Sequence, residues 1–180
     1  VCVTSSNAIK VVKNINNKRI FFVPDNNLGR YVAKQLPEKE FIFNDGFCHV
    51  HKSIDPKLVA EAKEHHPDAL VLAHPECTED VLELADYIGS TAGILDYATE
   101  SECKKFIICT EMGIFFKLSK QNPDKKFYSV GHRQFCPNMK KVSLEKVAAV
   151  MENPTEEVLL SDDIMNEACK PLQKMLELAK

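Results

Sequence analysis

Ile20-Phe21-Phe22-Val23, followed at once by Pro24-Asp25-Asn26-Asn27, is the stretch from which the fold class follows. Four apolar residues in unbroken succession suit a parallel strand covered on both faces; a half-exposed strand would alternate. The polar tetrapeptide behind it makes a turn and caps a helix over 28–36. The same unit of apolar strand, polar loop and helix returns in LVLAHPECTED at 70–80 and IICTEMG at 107–113. Reading outward from these units predicts strands over 18–23, 41–43, 69–73, 87–88, 105–109, 126–130 and 156–160. Helices are expected over 8–15, 56–66, 78–86, 92–100, 114–120, 143–151 and 161–180, with Pro171 placed to kink the last. Short strands alternating with helices imply an α/β fold of small three-layer αβα units with short parallel sheets. In such sheets ligands bind beyond the carboxyl ends of the strands. No G-x-G-x-x-G follows any strand, so a dinucleotide-binding fold has no support.

The 180 residues suffice for one sizeable core or two small ones, and 44% apolar with 27% charged residues is ordinary for a globular chain. A net charge of -3 argues against a nucleic-acid binder. There is no apolar run long enough for a bilayer and no signal peptide, so a cytoplasmic protein with no membrane partner is expected. Val1-Cys2-Val3 reads as a strand already under way, which sets the expectation that an N-terminal part is missing. Seven cysteines, an odd number with no CxxC pair, do not form a disulfide framework, a zinc ribbon or a small ferredoxin. A metal site here would draw its ligands from distant loops.

Three loops are dense in chemistry. Gly46-Phe47-Cys48-His49-Val50-His51 follows the strand 41–43, and either histidine there suits a ligand or an acid/base group. Cys48 reads equally as a buried small residue or as a ligand. His74 and Glu76 follow the strand 69–73; they read as an acid/base or metal-binding pair, or Glu76 simply meets a helix macrodipole. Cys136 follows the irregular Gly131-His132-Arg133-Gln134-Phe135, and Lys140-Lys141 beside it would favour a thiolate, which makes it the second candidate ligand. Gly89-Ser90-Thr91 and Thr4-Ser5-Ser6-Asn7 each read as an anion site or as an ordinary helix cap. Glu111 is either a site carboxylate or a first-turn charge. Cys77, Cys103, Cys109 and Cys169 read as structural or incidental, and His65-His66 as solvated surface.

VTSSNA at 3–8, VPDNNLG at 23–29, GFCHVH at 46–51, HPEC at 74–77, GSTAG at 89–93, TEMG at 110–113 and CPNMKK at 136–141 together resemble the quinolinate synthase family, in order and spacing along the whole chain. The resemblance implies a transferase of NAD biosynthesis that condenses iminoaspartate with dihydroxyacetone phosphate to quinolinate, with loss of water and phosphate. It implies a [4Fe–4S] cluster on three cysteines with one iron open to substrate, and three αβα domains around a pseudo-threefold axis. On that pattern 1–52 is the remainder of a middle domain, 53–135 a second complete domain, and 136–180 a segment that packs with a missing N-terminal domain. Cys48 and Cys136 match two cluster ligands, and the third lies outside this chain, so the chain alone lacks a complete cluster; Cys2 does not match the family's ligand position. His51, His74 and Glu76 match active-site groups, and Ser5, Ser90 and Thr91, with His74 and Glu76, match substrate-binding positions. His49 matches a variable position. An L-aspartate-oxidising enzyme would supply the unstable imine. Two other readings stand beside this one: a zinc or iron enzyme using Cys48, His51, His74 and Glu76, and a non-catalytic subunit or fragment.

Overall fold

The computed structural model describes residues 1–131, 134–155 and 157–180. Its elements alternate as expected: α1 (Ala8–Asn14), β1 (Arg19–Phe22), α2 (Asn26–Gln35), β2 (Glu40–Phe43), α3 (His49–Lys52), α4 (Pro56–His65), β3 (Leu70–Ala73), α5 (Glu79–Leu82), β4 (Tyr87–Ile88), α6 (Thr91–Glu100), β5 (Lys105–Cys109), α7 (Ile114–Gln121), β6 (Lys126–Ser129), α8 (Leu144–Glu152) and α9 (Asp162–Leu178). Of the strand expected over 156–160, Glu156 lies outside the described residues and 157–160 form no regular element. The irregular stretch at 131–135 likewise includes His132 and Arg133, which lie outside the described residues.

Four strands form one parallel sheet in the order β4-β3-β5-β6. Alternate residues of its central strands face opposite layers, as the pleat requires. Leu72, Phe106 and Ile108 pack on α6 and α7 through Ile94, Ala98, Ile114 and Leu118. Val71, Ala73, Ile107 and Cys109 pack the other way against Val59 of α4, Val81 of α5, Ile54 and Val130. This is a three-layer αβα unit, and its central strands carry the unbroken buried runs expected of a sheet covered on both sides. Successive strands go to opposite sides of β3, so the chain order reverses at that strand. In such sheets the carboxyl end at the reversal is where ligands bind.

β1 and β2 form a separate two-stranded parallel sheet. Ile20 and Phe22 pack with Ala8, Val12, Leu28 and Val32 of α1 and α2. The opposite face is open: Phe21 is 65% exposed and Ile42 51%. The expectation that the run 20–23 is covered on both faces is therefore corrected. An apolar run is set by residue type alone, whereas cover depends on distant elements.

The turns follow local chemistry. Asp25 caps α2 by accepting the Leu28 N–H at 2.8 Å. Pro56 opens α4, with Asp55 accepting from the Lys57 N–H. At Gly46 a Cβ would stand 2.2 Å from the Pro24 carbonyl oxygen, so only glycine lets the loop before Cys48 cross this close to the start of α2. No residue of α8 or α9 is buried; α9 lies against α1, where Asn14 Nδ2 donates to the Leu178 carbonyl. Among the described residues no helix is long and apolar enough to cross a membrane.

Candidate active site

Four groups of reactive side chains lie just beyond the carboxyl ends of parallel strands: Asp25 after β1, Cys48 after β2, His74 and Glu76 after β3, Thr110 and Glu111 after β5. GFCHVH is not all loop. Cys48 is the N-cap of the single-turn helix α3, and that turn carries His51 back into the protein while His49 stays exposed.

His51 is buried and bonded at both ring nitrogens. Nδ1 lies 3.0 Å from Glu76 Oε2, and Nε2 lies 2.9 Å from Thr110 Oγ1. His74, also buried, stacks on His51 with ring centroids 4.4 Å apart and planes 14° apart. His74 Nδ1 accepts the Glu76 N–H at 3.2 Å. The neutral His74 ring therefore carries its proton on Nε2, where it can act as a donor. The Glu76 loop is pinned from the other unit by Asn27, whose Nδ2 donates to the Glu76 carbonyl.

These contacts fix the charges. The hydrogen bond from His51 holds the Glu76 carboxyl below its usual range, against the opposing effect of burial. Burial pushes the His74 imidazole down to about 4, and the neighbouring His51 adds repulsion. The site thus pairs an ionised carboxylate with a neutral imidazole at neutral pH. One prediction follows from His74. Its ordinary value is 6.5 and its folded value about 4, so its contribution to stability is complete above pH 6.5 and is lost as the pH falls through about 4. Urea unfolding at pH 7 and pH 4 should show a loss of roughly 3 kcal/mol that the His74→Asn variant lacks. Equal losses in both proteins would refute the assignment.

Cys48 is half-buried. Its N–H donates to Asp25 Oδ2 at 2.7 Å, so one carboxylate caps α2 and positions the cysteine. Burial raises the Asp25 carboxyl against its bonds from Leu28 and Cys48. Burial also pushes the Cys48 thiol up, although the His51 and Val50 N–H groups at the start of α3 act the other way. Cys48, Asp25, Phe47 and Glu76 border an open cavity of about 210 Å³. The Cys48, His51 and Glu76 donor atoms lie within 4.8 Å of one another. Cys136 stands outside that group. It is tied to the site through Glu111, which accepts the Cys136 N–H at 3.2 Å, the Gly113 N–H at 2.6 Å and Lys140 Nζ at 3.0 Å. Burial pushes the Glu111 carboxyl up, but these three donors together hold it low. Lys140 is thus paired with a carboxylate, and Glu111, which bonds the N-cap N–H of α7 as a helix-start charge would, also tethers Cys136.

Ser5 and Ser90 meet in a second cavity of about 380 Å³, with Pro75, Tyr31 and Tyr87 on its walls. Ser90 Oγ caps α6 by accepting the Gly93 N–H, which leaves its O–H free to donate into the cavity. Thr91 is exposed at the first residue of α6 and does not border this cavity. Cys77 and Cys109 are buried, with Cys77 Sγ donating to the Cys109 carbonyl; burial pushes the Cys109 thiol up to about 12. Cys169 is exposed and Cys103 bonds the Lys105 carbonyl, in keeping with incidental roles. His65 is exposed, and His66 is partly exposed with its ring stacked on Tyr128, centroids 3.6 Å apart. The residues missed from sequence are Thr110, Asn27, Gln134 and the positioning role of Asp25. Gln134 is buried and donates to the Ile108 and Thr110 carbonyls while accepting the Val130 N–H, which fixes the end of β5. TEMG and VPDNNLG mark where Thr110, Asn27 and Asp25 lie, but no spacing rule says that an amide or hydroxyl there holds a neighbouring loop.

Comparison with known proteins shows what the chain is similar to. The family model described as "Quinolinate synthetase A protein" matches residues 1–177. The chain is similar to the quinolinate synthase of Caldicellulosiruptor saccharolyticus, 51% identical over 179 residues that make up 99% of this chain and 59% of the relative. It is 48% identical to the quinolinate synthase of Clostridioides difficile, over 100% of this chain and 59% of the relative. With that of Aquifex aeolicus it shares 44% identity, over 99% of this chain and 57% of the relative. The chain thus spans less than two thirds of the length of these relatives.

Proposed function

The chain belongs to the quinolinate synthetase A family, and we propose that it furnishes much of the active site of a quinolinate synthase, condensing iminoaspartate with dihydroxyacetone phosphate to quinolinate with loss of water and phosphate. The observation that carries this reading is the single network joining Cys48, His51, His74, Glu76 and Thr110 at the reversal point of a parallel sheet. Glu76 is the base: it is ionised, and His51 steadies its charge and returns a proton. His74 offers a neutral Nε2–H to a carbonyl or leaving oxygen. The Ser5 and Ser90 hydroxyls in that cavity suit a carboxylate or phosphate without needing a basic patch; Thr91, outside its walls, joins them only by the family resemblance.

The donor set fits a [4Fe–4S] cluster. Cys48 is half-buried beside an open cavity, Cys136 is half-buried, and the backbone N–H of each is held by a carboxylate. Cys77 and Cys109 are enclosed in the core and unsuited to ligation; the family resemblance implies a third thiolate from outside these 180 residues. When bound, such a cluster supplies a Lewis-acidic iron for the dehydration. The imine is short-lived, so an L-aspartate-oxidising enzyme is the natural source.

The test is a chimaera in which residues 1–180 replace the matching segment of the C. saccharolyticus relative. Reconstituted without oxygen and supplied with dihydroxyacetone phosphate and enzymatically generated iminoaspartate, it should form quinolinate, and Cys48→Ser and Cys136→Ser should each abolish cluster absorbance. A folded, cluster-loaded chimaera that makes no quinolinate would refute the reading.

A further inference from the structure

Gln134 is 2% exposed and grips three backbone groups with its amide. Nε2 donates one hydrogen to the Ile108 carbonyl at 2.6 Å and the other to the Thr110 carbonyl at 2.7 Å, while Oε1 accepts the Val130 N–H at 2.6 Å. Its own carbonyl accepts the Met112 N–H at 2.8 Å. One residue thus joins the end of β5, the residue after β6 and the entry to α7. Two reactive groups depend on those points. Cys136 lies two residues further along the chain. His51 Nε2 lies 2.9 Å from the Thr110 hydroxyl. From this we infer that Gln134 is a positioning residue for the proposed reaction: it fixes the place of Cys136 and the orientation of His51 as one unit. Its part in catalysis rests on the proposed function, and the linkage itself on geometry alone.

The direction of each bond shows how the linkage works. A carboxylate only accepts, so His51 donates to Glu76 from Nδ1. Nε2 is then an acceptor and takes the Thr110 O–H. That hydroxyl meets the ring only while the Thr110 backbone keeps its place, and Gln134 holds the Thr110 carbonyl. Two neighbours each do half of this. Glu111 accepts the Cys136 N–H, but its other bonds go to Gly113 and Lys140. The Thr110 hydroxyl serves His51. Of the three, Gln134 is the one tied to both sides. An enclosed polar group with its partners in place holds one arrangement of the groups around it. Asparagine, one methylene shorter, cannot span from this loop to both β5 carbonyls and to Val130.

Three variants of the 180-residue chain separate the parts. Heteronuclear NMR of the His51 ring nitrogens at fixed pH reports whether Nε2 accepts a hydrogen bond. The rate of iodoacetamide labelling at Cys136, read by peptide mass spectrometry, reports how firmly its loop is held. Gln134→Asn should change both: the Nε2 signal moves to its position in Thr110→Val, and Cys136 labels several-fold faster. Thr110→Val should move the His51 signal and leave Cys136 labelling as in the parent, and Thr110→Ser should restore the signal. Glu111→Gln should speed labelling and leave His51 alone. Circular dichroism verifies folding, and Gln134→Met repeats the measurement where the asparagine variant does not fold. In the parent chain the Gln134 side-chain N–H protons should exchange as slowly as the β5 amides. In the chimaera, at equal cluster content, Gln134→Asn should lower kcat about 10- to 100-fold with a much smaller change in KM. A Gln134 variant that moves one reporter or neither, fast exchange of the Gln134 amide, or an unchanged kcat would overturn the inference. The measurements on the chain need no quinolinate formation, so a failure of the proposed function shows separately, as a cluster-loaded chimaera without product.

Discussion

Replacing Glu76 by glutamine in the chimaera is expected to lower kcat for quinolinate formation about 100- to 1000-fold, the range for removal of a positioned acid/base group. The substitution is close to isosteric. The glutamine Oε1 can still accept from His51 Nδ1, and the Asn27 bond goes to the backbone carbonyl, so the loop stays where it is. What is lost is the negative charge and the capacity to take a proton. His51 keeps an acceptor for its Nδ1–H but loses an anionic one, and the stacked His74 loses the nearby negative charge. Effects on KM should be smaller, because anion binding falls to Ser5 and Ser90 in the neighbouring cavity. The check is a steady-state assay of parent and variant with equal cluster content by visible absorbance. A variant within tenfold of the parent would remove Glu76 from the role of base and leave it as a support for His51.

How far the sequence foretold this site depends on the kind of information each residue needs. The strand at 105–109 has the bounds its sequence predicts, because an apolar run between charged and polar residues is a local signal. Cys48, His51, His74 and Glu76 could be singled out because their types are chemically loaded and they follow strand patterns. Their convergence could not be, since nothing in GFCHVH says that a single helical turn returns His51 to a ring-stack with His74. Thr110, Asn27 and Gln134 were invisible for the opposite reason. Hydroxyls and amides are common, and only the partner 24 to 59 residues away gives each one a role. The run 20–23 shows the same limit in packing. Its apolar character is real, yet Phe21 and Val23 stand exposed because the two-stranded sheet is covered by helices on one face only. A one-dimensional pattern reports that a strand can be covered, and topology decides whether it is.

The same distinction yields the largest expected effect on stability. Phe106 and Phe21 are both phenylalanines in short parallel strands, and sequence context barely separates them. Phe106 sits on β5 at the centre of the four-stranded sheet, fully enclosed by Leu72, Ile94, Ala98, Ile108 and Leu118, with its ring stacked on Phe127 at 5.6 Å. Phe106→Ala removes the buried ring and leaves a cavity between rigid helices that cannot close over it, so a loss of about 3–5 kcal/mol is expected. Against a typical total of roughly 5–15 kcal/mol, that is a large share of the fold's stability. Phe21→Ala, at 65% exposure, should cost less than about 1 kcal/mol. Urea denaturation of the three proteins decides the matter: the Phe106 variant should show a much lower midpoint at an unchanged slope, and the Phe21 variant a midpoint near the parent. The damage should also reach the site. β5 ends in Cys109, and Thr110 and Glu111, which hold His51 and Cys136, follow directly on that strand. Cluster absorbance in the chimaera should therefore fall with Phe106→Ala under conditions where the variant is still folded, and hold with Phe21→Ala. Similar costs for the two substitutions would mean that the four-stranded sheet is not the stable centre on which the site is built.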